Sequence, residues 1–278
     1  MTKLKFLLLG VLTSLLFPPY FVFPLGFIIF PYLCLFIEKK LDIFNKRQFF
    51  VCFFLFGIGF FGNFLFWIQN PFYLFEETKY FSFISIFLII ILSLILGLVS
   101  SLLIFYNKTV PIIFIIPIIF ILSEVIISFI LYGFPWVTYS LIVSNINLFS
   151  FSLKHFGTII TSFSVLILFC LPYLFLSKKN LTKITILFFS FILFSLFFSV
   201  IFNLFNNTEE STKHKVIQID LYQLNKEVLL NNESAKALYE NILNKISKSD
   251  SDLIIFAENN YPYLIKKIEF KNIQNILG

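Results

Sequence analysis

Residues 81–106 read FSFISIFLIIILSLILGLVSSLLIFY, a run of 26 residues without a charged side chain. An α-helix needs about 20 mostly apolar residues to cross the hydrocarbon core of a bilayer, so this run predicts a membrane span. The whole chain shares this character, because 43 of its 278 residues are Phe, 13% are charged and the mean hydropathy is +0.92. Such a composition excludes an ordinary soluble domain and indicates a polytopic α-helical membrane protein.

Six further apolar runs flank residues 81–106. Before it lie Phe6–Phe17, Tyr20–Ile37 and Phe49–Ile68, and after it Pro111–Leu131, His155–Leu176 and Ile184–Leu204. Together they predict about seven spans in a transmembrane domain of residues 1–207. The first run is short and ends at Pro18-Pro19, which predicts either a short first helix or half of a proline-broken hairpin with the second run. A cleaved signal peptide is a third alternative, but no small-x-small cleavage site follows.

Basic residues fall mainly on one side of the predicted bundle. Ten Lys and Arg residues lie before the first run or in alternate loops, whereas the other loops carry only Lys79 and Lys154. By the positive-inside bias, the side with ten is cytoplasmic and everything after Leu204 lies outside the cytoplasm. From Thr208 onward there are nine Lys and ten acidic residues, so the formal charge of +6 belongs to the membrane half and does not indicate a nucleic-acid partner.

Residues 208–278 are polar in composition and predict the start of an α/β domain outside the membrane. Lys215–Ile219 and Leu253–Phe256 predict strands, and apolar residues at helical spacing between Ala235 and Ile246 predict a helix, which gives one βαβ unit. About 65 residues are too few to bury a parallel sheet on both faces. Glu258 follows the second strand, at the sheet edge where such domains often carry their chemistry, although a solvated loop carboxylate gives the same pattern.

Four stretches together resemble bacterial apolipoprotein N-acyltransferases. Three of them resemble membrane signatures of that family: Phe17-Pro18-Pro19 to Pro24-Leu25, Gly57 to Phe61 followed by Trp67-Ile68, and Gly133-Phe134-Pro135-Trp136. The fourth, Asp252–Pro262, resembles the first catalytic motif of the family's nitrilase-like (carbon–nitrogen hydrolase) domain. The resemblance covers essentially the whole chain. It implies lipoprotein maturation at the bacterial inner membrane, with residues 208–278 as a partial nitrilase-like domain on the periplasmic side.

The resemblance also implies a mechanism. An acyl chain passes from a membrane phospholipid to a cysteine as a thioester, and then to the N-terminal amino group of a diacylglyceryl-cysteine apolipoprotein. Glu258 matches the general base of the family's Glu, Lys and Cys triad. The motifs that carry the Lys and the Cys are not in this sequence, so the chain as it stands is expected to be inactive.

The resemblance brings no cofactor, and the sequence contains no metal-ligand spacing. Cys34, Cys52 and Cys170 all lie in apolar runs without a basic partner, where burial disfavours the thiolate. The three cysteines are therefore predicted to be structural.

Two residues of the membrane part are candidates for substrate binding. Trp136, held by Pro135 in an outward loop, is a candidate for contact with a lipid or its headgroup. Glu124 lies nine residues before Gly133, as the family's membrane glutamate does, but the Arg expected to pair with it is replaced by Ile127. An ionisable group in a span is costly, so an unpaired Glu124 is predicted to be functional, or else protonated or turned to a water-filled cavity.

Two other functions fit the composition. The first is a non-catalytic multi-span carrier or scaffold with a small external binding domain, although a carrier usually shows paired intramembrane charges or matching breaks in two halves. The second is a different membrane-anchored carbon–nitrogen hydrolase, against which the sequence Gly133-Phe134-Pro135-Trp136 argues.

Overall fold

The structure is a computed structural model that describes residues 2–73, 76–106, 110–130 and 137–177, two strands at 216–219 and 253–256, and single positions between 186 and 244. The chain divides into two compact units, Met1–Asn207 and Thr208–Gly278. The described part of the first unit is mostly helical, and its α-helices are α1 (Thr2–Ser14), α2 (Gly26–Lys40), α3 (Lys46–Phe64), α4 (Ile84–Ser100), α5 (Ile112–Ile130), α6 (Ser150–Cys170) and α7 (Pro172–Ser177).

Four helical stretches of the described residues are long and apolar enough to cross a membrane: Lys46–Phe64, Lys79–Phe105, Ile112–Ile130 and Phe151–Ser177. The second joins α4 to a 3₁₀ turn at each end, and the fourth joins α6 to α7. They match the third to sixth predicted runs, so four of the seven predictions are confirmed as candidate spans. The seventh run, Ile184–Leu204, lies outside the described residues apart from single positions, and a seven-span topology stays a prediction.

The first two runs form helices shorter than a span. At 1.5 Å per residue, the 13 residues of α1 extend about 20 Å and the 15 of α2 about 22 Å, against a hydrocarbon core of about 30 Å. The connection between them contains Pro18, Pro19 and Pro24, none of which has the N–H that continues a helix. Within this connection the Val22 N–H donates a hydrogen bond to the Leu15 carbonyl at 2.9 Å. The first helix is thus short, as expected, and the second is shorter than its apolar run, so the alternative of a proline-broken hairpin stays open as well.

Glycines bring α1 and α3 into backbone contact. A Cβ atom on Gly10 would lie 2.0 Å from the carbonyl oxygen of Phe56, and one on Gly59 would lie 2.1 Å from that of Leu7. Gly57 likewise allows α3 and α4 to approach closely, because a Cβ there would lie 2.8 Å from the Cα of Ser93. For Gly57 and Gly59 the sequence favours close helix packing over a lipid entrance, and these contacts confirm the packing role.

Phenylalanines fill the interior of the helical unit as well as facing outward. The Phe120 ring of α5 meets Phe30 of α2 at 5.5 Å and Phe56 of α3 at 5.6 Å between centroids, both edge to face. Other Phe side chains, such as Phe87 and Phe129, are 60% and 88% exposed, as expected for a surface in contact with lipid. Phe side chains therefore occur both in the protein core and on the surface expected to face lipid.

The second unit contains two described strands, β1 (Val216–Ile219) and β2 (Leu253–Phe256), which pair in parallel with Val216 opposite Leu253 and Ile219 opposite Phe256. The helix predicted between them lies outside the described residues except for Glu240 and Asn244, which are helical. The βαβ unit and its nitrilase-like character therefore stay predictions.

Candidate functional site

Glu124 lies in the second half of α5 and is 7% exposed. Its two carboxylate oxygens accept separate hydrogen bonds from the chain that follows the helix. The Thr138 hydroxyl donates to Oε1, and the Tyr139 backbone N–H donates to Oε2 at 3.0 Å. Two neutral donors thus bind Glu124 at the place where the resemblance leads one to expect an arginine, and its functional role stays a prediction.

The segment that binds Glu124 is itself held at several points. Thr138 has an extended backbone, and the 3₁₀ turn Tyr139–Val143 follows it. We call Thr138 and this turn together the return segment. The Ser140 N–H of this segment donates to the Ser162 hydroxyl of α6 at 2.8 Å, and Ser162 also interacts with Glu124. Hydrogen bonds to α5 and to α6 thus fix the return segment, and they satisfy polar groups that would be costly to bury unpaired.

Tyr139 anchors the same segment through its ring. It packs 5.4 Å from the Phe120 ring, 6.2 Å from that of Phe60 and 5.7 Å from that of Phe17, measured between centroids. The residue lies outside the four candidate spans, and burial, with the Glu124 carboxyl nearby, raises the pKa of its phenol well above the usual value. Tyr139 therefore stays neutral and connects the return segment to α3, α5 and the end of the first run.

Helix α6 is broken next to Glu124 and its partners Thr138, Tyr139 and Ser162, which together we call the Glu124 cluster. Gly157 has φ 75° and ψ −176°, a backbone conformation that is essentially restricted to glycine. Its carbonyl accepts a hydrogen bond from the Thr161 hydroxyl at 2.8 Å, and the hydroxyls of Thr161 and Ser152 lie 2.9 Å apart across the break. The break and its hydrogen bonds position the turn of α6 that carries Ser162.

The other sequence-predicted site residues lie outside the described residues. Trp136 immediately precedes Val137, where the described chain resumes, so its carboxyl side is attached to the fixed return segment. Glu258 comes two residues after the end of β2. The structure therefore places Glu124, and the predictions for Trp136 and Glu258 fall on residues outside the part of the chain that it describes.

The three cysteines lie buried in the helical unit. Cys34 and Cys170 are fully buried and Cys52 is 4% exposed, in keeping with structural thiols. Among the residues that the structure describes, no cluster of His, Cys, Asp or Glu is suited to a metal ion.

The partners of Glu124 are the residues that sequence reasoning missed. Thr138 and Tyr139 lie 14 and 15 residues after it, outside helix α5, whereas the sequence pattern pointed to a cation about one helical turn away. The signal that was present is the polar group Thr138-Tyr139-Ser140 directly after a predicted outward loop.

The four long apolar helical stretches indicate a membrane protein of the α-helical class. A family model described as the apolipoprotein N-acyltransferase N-terminal domain matches residues 9–171, more than half of the chain, from α1 to the start of the α6–α7 junction. The chain belongs to this family. No curated protein matches the sequence.

Proposed function

We propose that the protein acts in lipoprotein maturation as an N-acyltransferase, transferring an acyl chain from a membrane phospholipid to the N-terminal amino group of a diacylglyceryl-cysteine apolipoprotein. The family match over residues 9–171 carries the proposal. It includes the Glu124 cluster and runs through the stretch Gly133–Trp136, so the most specific sequence resemblance and the best-anchored polar site belong to one region.

The proposed chemistry has two steps. A cysteine thiolate attacks the ester carbonyl of the phospholipid, which gives an acyl thioester and releases a lysophospholipid. The α-amine of the apolipoprotein then attacks the thioester, which gives an amide and restores the thiol. In this proposal Glu258 takes the proton from the thiol in the first step and returns it to the alkoxide of the leaving lysophospholipid. In the second step it takes the proton from the amine and returns it to the leaving thiolate.

The three cysteines of the chain do not suit the role of nucleophile. All are buried in helices α2, α3 and α6, and burial disfavours the thiolate that the first step requires. The thiol and the oxyanion-stabilising lysine of the family's triad are therefore proposed to come from motifs other than those in these 278 residues.

Glu124 is proposed as a positioning residue for Trp136. Its carboxylate fixes Thr138 and Tyr139, and so fixes the point from which the stretch Gly133–Trp136 extends. A Trp attached at one end to a rigid segment loses less conformational freedom when it contacts an acyl chain or a headgroup, and this favours binding. Glu124 itself is proposed to act through these contacts rather than on the substrate.

The proposed location is the bacterial inner membrane, with about seven spans and with residues 208–278 as the first part of a nitrilase-like domain on the periplasmic side. The distribution of basic residues, ten on one side and two on the other, supports this orientation.

Analysis of lipoproteins in the source organism tests the function. Deleting or depleting the gene is expected to convert mature lipoproteins from three acyl chains to two, with a free α-amino group that mass spectrometry of the N-terminal peptide detects. Unchanged N-acylation would refute the proposal and leave the non-catalytic carrier or scaffold as the better account.

Chromosomal substitutions test the assigned base. Glu258→Gln is expected to abolish N-acylation at normal protein abundance, because the amide cannot accept the proton. The matched control is Glu269→Gln, which removes another carboxylate of the same unit and is expected to leave N-acylation intact. Equal N-acylation in the two strains would exclude Glu258 as the base.

A further inference from the structure

A cavity of about 280 Å³ lies at the end of the helical unit where α1 and α3 begin. Its walls come from the first residues of α1 and from the start of α3 with the turn before it. The lining residues are Lys3, Phe44, Arg47, Gln48, Val51 and Cys52. None of them belongs to the Glu124 cluster or to the proposed catalytic motif.

Three polar side chains of this cavity, Lys3, Arg47 and Gln48, can each offer a hydrogen-bond donor to a ligand. Lys3 and Arg47 supply two cations, and both side chains are exposed at the cavity mouth. Gln48 caps α3 together with Asn45: its side-chain oxygen accepts the Asn45 N–H at 2.8 Å, which leaves the amide NH₂ as the group that can reach a ligand. Two cations and an amide donor, with no acidic side chain in the lining, fit an anion.

The rest of the lining is apolar. Cys52 is buried, and Phe44 and Val51 are half-buried, so the floor of the cavity offers hydrocarbon contacts below a cationic mouth. The guanidinium of Arg47 can bind a phosphate through two parallel hydrogen bonds, which a single ammonium cannot do. A free inorganic anion would use only the mouth, whereas an amphiphile with an anionic head would use both parts.

The position of the cavity also favours a lipid. Helix α3 is a candidate span that begins at Lys46, so its first turn lies where a membrane helix leaves the hydrocarbon. Phospholipid phosphates occupy that depth, and basic side chains near it attract anionic lipids. We propose that this cavity binds the phosphate headgroup of an anionic membrane phospholipid between Lys3 and Arg47, with an acyl chain along Val51 and Cys52.

Photocrosslinking in lipid nanodiscs tests the proposal. The protein is reconstituted in phosphatidylcholine with a small fraction of phosphatidylglycerol that carries a photoreactive group near the start of its acyl chain. We expect the crosslink to map to the peptide Phe44–Cys52, and unlabelled phosphatidylglycerol to compete with it. The variant K3Q/R47Q is expected to lower the crosslink yield at least tenfold.

The matched control is K5Q/K39Q, which removes the same charge from exposed lysines at the same end of the unit that do not line the cavity. We expect its yield to fall less than twofold. An equal fall in both double variants would reduce the effect to general charge attraction and overturn the proposal.

Two further outcomes would also overturn the proposed occupant. Competition by inorganic phosphate as effective as that by the lipid would mean a site for soluble anions. Equal crosslinking by a photoreactive phosphatidylcholine would mean no selection for the headgroup charge. Thermal unfolding of each variant in pure phosphatidylcholine checks its folding, and the single variant R47Q, with one exposed side chain changed, repeats the test if K3Q/R47Q does not fold.

Discussion

Replacing Gly10 by Ala tests the contact between α1 and α3. The added Cβ would lie 2.0 Å from the Phe56 carbonyl oxygen and 2.9 Å from the Phe60 nitrogen, both atoms of a helix backbone. Close carbon–oxygen contacts between helices are about 3.3 Å, so the helices have to separate locally by about 1.3 Å. Because neither atom belongs to a flexible side chain, the separation must also loosen neighbouring contacts such as Phe6 with Phe53, whose rings lie 5.5 Å apart.

The matched control is Gly62→Ala on α3, where an added Cβ meets nothing within 4 Å. Both substitutions share the helix-propensity gain of Ala over Gly, up to about 1 kcal/mol, so their difference isolates the steric effect. Overpacking of this kind costs about 1–3 kcal/mol, and we expect the free energy of unfolding of Gly10→Ala to fall below that of Gly62→Ala by that amount.

The measurement is unfolding in mixed micelles with increasing SDS, followed by tryptophan fluorescence. Gly59→Ala, whose Cβ would lie 2.1 Å from the Leu7 carbonyl oxygen, is expected to behave like Gly10→Ala. The double variant Gly10→Ala/Gly59→Ala should lose less than the sum of the single losses, since one separation relieves both clashes. Identical unfolding of Gly10→Ala and Gly62→Ala would refute the close contact.

Three other substitutions test the hydrogen bonds and the backbone break. Thr138→Val removes a buried donor to the Glu124 carboxylate and is expected to lower the unfolding free energy by about 1.5–3 kcal/mol. The variant is also expected to increase proteolysis of the return segment, and an unchanged cleavage rate would contradict the anchoring role. Gly157→Ala is expected to cost about 1–3 kcal/mol through backbone strain alone, because nothing lies within 4 Å of the added Cβ, and a stabilised variant would show that α6 is continuous there. Tyr173→Phe removes the 2.7 Å hydrogen bond to Glu38 and is expected to lower the unfolding free energy by about 1–2 kcal/mol in the same SDS titration. An unchanged free energy would mean that this contact between α7 and α2 does not contribute to stability.

The candidate spans could be predicted from the sequence because the hydrocarbon core of a membrane requires the side chains that face it to be apolar. A run such as Phe81–Tyr106 has no charged residue, and the helical stretch Lys79–Phe105 agrees with it to within two residues. Helix α3 begins at Lys46 and not at Phe49, the start of the predicted run, because Asn45 caps the helix in reciprocal hydrogen bonds with Gln48. Hydropathy does not include this local feature.

The contacts between distant segments could not be predicted in the same way. Glu124 was expected to lack its arginine partner because Ile127 stands in that place, but the sequence did not show that its donors come from Thr138 and Tyr139, beyond α5. Gly57 and Gly59 were favoured as packing residues from their size, but the sequence does not say that one faces α4 and the other α1. Such pairings depend on tertiary structure, which periodicity within one helix does not contain.

The pairing of α1 with α3 has a consequence for biosynthesis. Helix α1 is completed at Ser14 and its partner only at Phe64, so at about 5–20 residues per second the ribosome finishes the partner about 3–10 s later. During that interval the nascent chain presents a first helix of 13 residues, too short to cross the bilayer and with the flat surface at Gly10 uncovered. We therefore expect the final position of α1 to be fixed only after α3 has emerged, because the backbone that Gly10 contacts is missing until then.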